Sequence, residues 1–164
     1  MKRLIFVRHA KSSWKNPDLE DIDRPLNKRG MKDAPDMGLR LKKKKINPEL
    51  LITSPANRAQ TTARIIAEKI DYPAKKIETQ ASLYSSGVPG IMNVITHIDD
   101  VYSEVMLFGH NPDFTTITNY LSSPFTDKLP TCGVVAIDFD VMSWMDVREG
   151  TGTRVFYDYP KKGK

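Results

Sequence analysis

The sequence predicts an α/β fold: a three-layer sandwich with a mostly parallel sheet, helices on both faces and an antiparallel edge. Two observations predict it. Short apolar runs alternate with stretches of helical period, and strands joined through helices run parallel. The last two strand candidates have no helical stretch between them, so they are expected to pair antiparallel. With 164 residues, 40% hydrophobic and 27% charged, the chain is expected to form one domain over 1–164.

Strands are expected over 3–8, 50–53, 75–79, 104–108, 133–140 and 153–158, each built on a short apolar run such as Leu4-Ile5-Phe6-Val7. Residues 10–25 lack periodicity and contain Pro17 and Pro25, so they read as a loop over the end of the first strand. Between 26 and 45 the signal is mixed because Pro35 breaks an established helix. Either a kinked helix passes through it, or a helix starts at Asp33 with Pro35 in its first turn. Residues 55–70 place Ala59, Thr62, Ala63, Ile66, Ala67 and Ile70 at helical spacing, with Ser54 as N-cap and Pro55 in the first helical position. Residues 87–99 and 112–122 are helical by pattern.

Composition narrows the function classes. No apolar run approaches the roughly 20 residues of a membrane span, and the run after Met1-Lys2-Arg3 is too short for a signal peptide. A membrane partner is not expected. The single cysteine, Cys132, leaves no internal disulfide and fits a cytoplasmic location. The net charge of +5 is concentrated in Lys42-Lys43-Lys44-Lys45 and the tail Lys161-Lys162-Gly163-Lys164. Neither run interleaves aromatics as a nucleic-acid face would, so no nucleic-acid partner is expected. No spacing of Cys or His suggests a metal, and no cofactor is expected.

The chemistry lies where strands end. The first delivers into Arg8-His9-Ala10, the second into Ser54-Pro55-Ala56-Asn57-Arg58-Ala59, and the fourth into Gly109-His110-Asn111-Pro112. Ligands of open α/β sheets sit at the carboxyl ends of strands. Two Arg and two His converging there suit a doubly charged anion, with guanidinium forks on phosphate oxygens and an imidazole as nucleophile or acid. His9 is the expected nucleophile, held neutral by the cationic neighbours Arg8 and Arg58. His97 lies in a helical stretch, matches no motif and reads as structural. Asp138-Phe139-Asp140-Val141-Met142 resembles an aspartate-nucleophile loop but has too little chain after it. Cys132 lacks the Arg six residues on that a cysteine phosphatase needs.

These pieces, with Asp23-Arg24-Pro25-Leu26-Asn27-Lys28-Arg29-Gly30, resemble in order the histidine phosphatase (phosphoglycerate mutase-like) superfamily, and most of all its small SixA-type phosphohistidine phosphatases. The resemblance implies His9, Arg8, Arg58 and His110 as catalytic residues, and Arg8, Ser12, Arg58 and His110 as phosphate-binding ones. Lys15 stands where phosphoglycerate mutases commonly have Asn, which leaves its role open. Larger relatives supply a Glu acid where this chain has Ser85, and the acid-phosphatase branch an Asp where it has Asn111. Either Asp18, Glu20, Asp21 or Asp23 substitutes, or the substrate hardly needs an acid. The implied activity is a metal-independent phosphatase with a phosphohistidine intermediate. Its substrate is a phosphohistidine-bearing protein or a small phosphorylated molecule. The alternatives are a small-molecule phosphomonoesterase of the same superfamily and a non-catalytic phosphate- or phosphoprotein-binding module.

Overall fold

The computed structural model describes residues 1–163; Lys164, at the end of the basic tail, lies outside them. Six strands form one sheet in the order β3-β2-β4-β1-β5-β6. They are β1 (Lys2–Arg8), β2 (Leu50–Thr53), β3 (Glu78–Thr79), β4 (Glu104–Gly109), β5 (Val134–Phe139) and β6 (Gly152–Asp158). Strands β1, β2, β3 and β4 pair parallel, while β5 runs antiparallel to both β1 and β6. The α/β sandwich with an antiparallel edge is therefore the observed fold.

Side chains alternate across each strand, which divides the core into two layers. Leu4, Phe6, Ile52, Val105 and Leu107 face one way and pack with α3 (Gly87–Thr96) and α4 (Asp113–Leu121). Ile5, Val7, Leu51, Met106 and Phe108 face the other way, toward α1 (Lys28–Lys43) and α2 (Asn57–Lys69). The central strands β1 and β4 are covered on both faces, which is why their apolar runs are nearly continuous.

Three sequence expectations need correction, and of the two alternatives left open for 26–45 the helix that passes through Pro35 is the one observed. Helix α1 starts at Lys28, not Asp33. Asn27 caps it, accepting the Gly30 N–H at 2.8 Å, so the helix is nucleated seven residues before the proline. Its buried stripe is Gly30, Asp33, Ala34, Met37, Gly38 and Leu41. Helix α2 begins at Asn57 with Ala56 at the cap position, so neither Ser54 nor Pro55 has the place expected of it. The third strand shrinks to Glu78–Thr79, because 74–76 tighten into a 3-10 turn. Finally, α3 stops at Thr96, with exposed His97 as its C-cap.

Candidate active site

Parallel register brings three strand ends together. Arg8 at the end of β1 pairs with Gly109 at the end of β4, and Thr53 at the end of β2 pairs with Phe108. The next residues, His9, His110 and Ser54, therefore leave the sheet side by side. The His9 N–H donates to the Gly109 carbonyl at 3.0 Å, and the Ser54 N–H to that of Phe108 at 3.0 Å. The two imidazole rings lie 5.2 Å apart. Gly109 is required at this junction, since a Cβ there would sit 2.6 Å from the Phe114 ring.

A cleft of about 180 Å³ opens over these ends, lined by Arg8, His9, Ser12, Arg24, Arg58, His110 and Asn111 among others. The four residues expected to be catalytic, and Ser12, thus converge. Lys15 does not line this cleft; it faces an adjoining groove.

His9 is buried, and its Nδ1 lies 2.7 Å from the Ala10 carbonyl. A carbonyl only accepts, so Nδ1 carries the proton and Nε2 keeps its lone pair. Burial, and then the charges of His110, Arg58 and Arg8, lower the His9 pKa to about 3. Its imidazole is neutral at physiological pH. His110 is lowered to about 4, by burial first and then Arg58. Ser54 Oγ accepts the Ala56 N–H at 3.1 Å and lies 2.8 Å from His110 Nε2. When Ser54 donates its hydroxyl proton there, His110 carries its own on Nδ1, which is buried without a partner. That leaves a donor uncommitted within the protein.

Helix α2 holds the strand end in place. Thr62 accepts the Ala10 N–H at 3.0 Å and donates to the Arg58 carbonyl at 2.8 Å. Arg8 is tied to the Leu129 carbonyl at 2.9 Å, with its Nε unpartnered. Its pKa is lowered from the ordinary arginine value by burial and by Arg58. It remains a cation at any physiological pH.

Arg24 lines the cleft, and Asp21 and Tyr84 adjoin it through Arg58 and His110; spacing alone gave none of them a role there beyond Asp21's place among four loop carboxylates. Arg24 donates to Ser12 Oγ at 2.6 Å and to Asp21 at 3.1 Å. Arg58 donates to the Asp21 carbonyl at 2.7 Å and to its carboxylate at 3.0 Å. The Tyr84 hydroxyl donates to the same carboxylate at 2.7 Å and is pushed upward by it. Those contacts, Tyr84's first, hold the Asp21 carboxyl down at about 2. Asp21 is thus an anion near neutral pH and has no proton to give. Asn111 is committed to structure, donating to the Leu129 carbonyl at 2.9 Å and accepting from Thr115.

The family model of the histidine phosphatase superfamily (branch 1) matches residues 4–83. An uncharacterised chloroplast protein of Arabidopsis thaliana is 31% identical over 152 residues, covering 87% of this chain and 69% of its own length. The chain belongs to the histidine phosphatase superfamily. Its fold matches that of an Agrobacterium tumefaciens protein assigned as a phosphohistidine phosphatase SixA, with a TM-score of 0.83 at 22% identity over 97% of this chain and 98% of that one. A second match is the protein histidine phosphatase SixA in complex with tungstate, with a TM-score of 0.82 at 19% identity over 96% and 97% of the two chains. At these identities the likeness is one of fold. Within this histidine phosphatase chain, the matched segment 4–83 carries Arg8, His9, Arg24 and Arg58. His110 joins them from β4, beyond it. Among the described residues no helix is long and apolar enough to cross a membrane, and no group of three or more His, Cys, Asp or Glu stands together.

Proposed function

We propose that the protein removes phosphate from phosphohistidine borne on proteins, through a phosphohistidine intermediate on His9. One observation carries the reading: a neutral imidazole, proton on Nδ1 and lone pair free on Nε2, stands among three guanidiniums. Arg8, Arg24 and Arg58 would hold the non-bridging phosphoryl oxygens, and His110 Nδ1 would donate to another. Nε2 of His9 attacks phosphorus while the bond to the substrate nitrogen breaks. The Ala10 carbonyl holds the Nδ1 proton as the ring becomes cationic.

No carboxylate lines the phosphate cleft, and Asp21 beside it is an anion; both favour this substrate. An alkyl phosphate must expel an alkoxide, and losing general acid catalysis costs it ~10²–10⁴-fold. Phosphohistidine protonated on its free ring nitrogen departs as neutral imidazole and needs no acid from the protein. The second step has the same property. Phospho-His9 already carries its Nδ1 proton, so attack by water expels a neutral ring and the water proton leaves with phosphate. That structural relatives include protein histidine phosphatase SixA, one of them in complex with tungstate, supports the reading.

The test is a substrate panel. Phosphohistidine and aryl phosphates should turn over faster than alkyl phosphates such as phosphoglycerate. An alkyl phosphate with the highest kcat/KM would overturn the assignment.

A further inference from the structure

Beside the phosphate cleft runs a second, larger depression of about 880 Å³, sharing Lys11, Ser12 and Trp14 with it. Its cationic members are Lys11, Lys15, Lys28 and Arg29, and no carboxylate lines it. Arg29 is partly answered by Asp33 at 3.4 Å, whereas among the described residues Lys11, Lys15 and Lys28 have no ion-pair partner. Trp14 stands at the junction, 76% exposed, with the Arg24 guanidinium stacked 3.2 Å from its ring centre. Trp14 thus lines both the phosphate cleft and the groove.

We infer that this groove docks a carboxylate-bearing segment flanking the phosphohistidine of the substrate protein. The inference rests on the phosphohistidine reading above and adds what recognises the protein around the phosphoryl group. Exposed lysines are ordinary one by one. Three unpaired ammonium groups around one depression repel each other, and an acidic segment relieves that repulsion. An exposed indole beside them supplies apolar contact of the kind that anchors interfaces. The phosphate cleft is too small to receive more than the phosphoryl group and its ring. The groove adjoins it, with Lys11, Ser12 and Trp14 lining both, so chain adjoining the modified histidine would lie along it.

The test uses the full chain and K15E/K28E, a double variant at two positions outside the phosphate cleft. Two substrates are compared: an acidic phosphotransfer protein phosphorylated on histidine, and free phosphohistidine. For the protein, kcat/KM should fall about tenfold or more in the double variant, while for free phosphohistidine it should stay within about twofold. Wild-type turnover of the protein should also fall between about 50 and 300 mM salt, with little change for the free amino acid. Unchanged turnover of the protein substrate by K15E/K28E would overturn the inference. An equal loss on both substrates would overturn it too, because the groove would then serve the small molecule. A wild-type dimer that K15E/K28E abolishes would instead seat a second copy there and overturn it as well. If the wild type turns over neither phosphohistidine substrate but does cleave aryl phosphate, the phosphohistidine reading itself fails, and the docking inference with it.

Discussion

His9, the proposed nucleophile, is buried where a positive charge is unwelcome. Its pKa of about 3, and that of His110 at about 4, set the pH dependence. The nucleophile works when neutral, so activity is lost as pH falls through the folded-state value. The acid limb of kcat/KM on an aryl phosphate, corrected for the substrate's own ionisation, should therefore lie below about pH 5, not near the ordinary histidine value of about 6.5. Between those values the unfolded chain binds more protons than the folded one, so stability also declines as pH drops from about 6.5. A limb near 6.5 would mean that His9 is not desolvated as described. Asp21 makes the opposite kind of contribution: a fixed negative charge on the forks of Arg58 and Arg24. Replacing it in Asp21→Asn should tighten inhibition by inorganic phosphate by on the order of fivefold, equivalent to ~1 kcal/mol of removed repulsion. Turnover of phosphohistidine should survive, since Asp21 holds no proton to donate. Loss of alkyl turnover with aryl turnover retained, and phosphate affinity unchanged, would identify Asp21 as an acid instead.

At the scale of elements, local pattern and tertiary path separate what the sequence reveals from what it hides. Arg8, His9, Arg58 and His110 were legible because each lies directly after an apolar run, or in the first turn of the following helix, and parallel register does the rest. Arg24, Asp21 and Tyr84 sit in connecting segments whose routes depend on what they pack against, so no spacing rule places them. The start of α1 was obscured by Pro35, and by a buried stripe that includes Gly30 and Gly38, where burial comes from close approach of neighbouring chain and not from apolar side chains. Gly30 is the clearest instance. A Cβ at this position would lie 2.2 Å from the Lys11 carbonyl oxygen, and that oxygen accepts the Asn27 N–H at 2.9 Å. Helix propensity favours Gly30→Ala by ~1 kcal/mol, but forcing an atom into packed backbone costs about 1–3 kcal/mol. The clash should win. Urea unfolding should show a net loss of stability, and kcat/KM should fall as the loop carrying Ser12 shifts. A variant as stable as the wild type would show that α1 does not fix this loop.

For the whole molecule, the sheet order decides the function more than any single contact. Placing β1 between β4 and β5 sets the strand that delivers His9 at the centre, and its carboxyl end opens beside the ends of β4 and β2. Both helical layers then serve the site: α2 contributes Arg58 and Thr62, and the Asn111–Thr115 contacts tie the loop after β4 to the start of α4. The central claim is that the phosphoryl group passes through His9. Rapid quenching of the enzyme with ³²P-labelled phosphohistidine or aryl phosphate tests it most directly. The account predicts a labelled protein whose label is stable to alkali and lost in acid, maps to the peptide containing His9, and is absent from a folded His9→Ala variant that has also lost turnover. Label on another residue, or sustained turnover by His9→Ala, would contradict it.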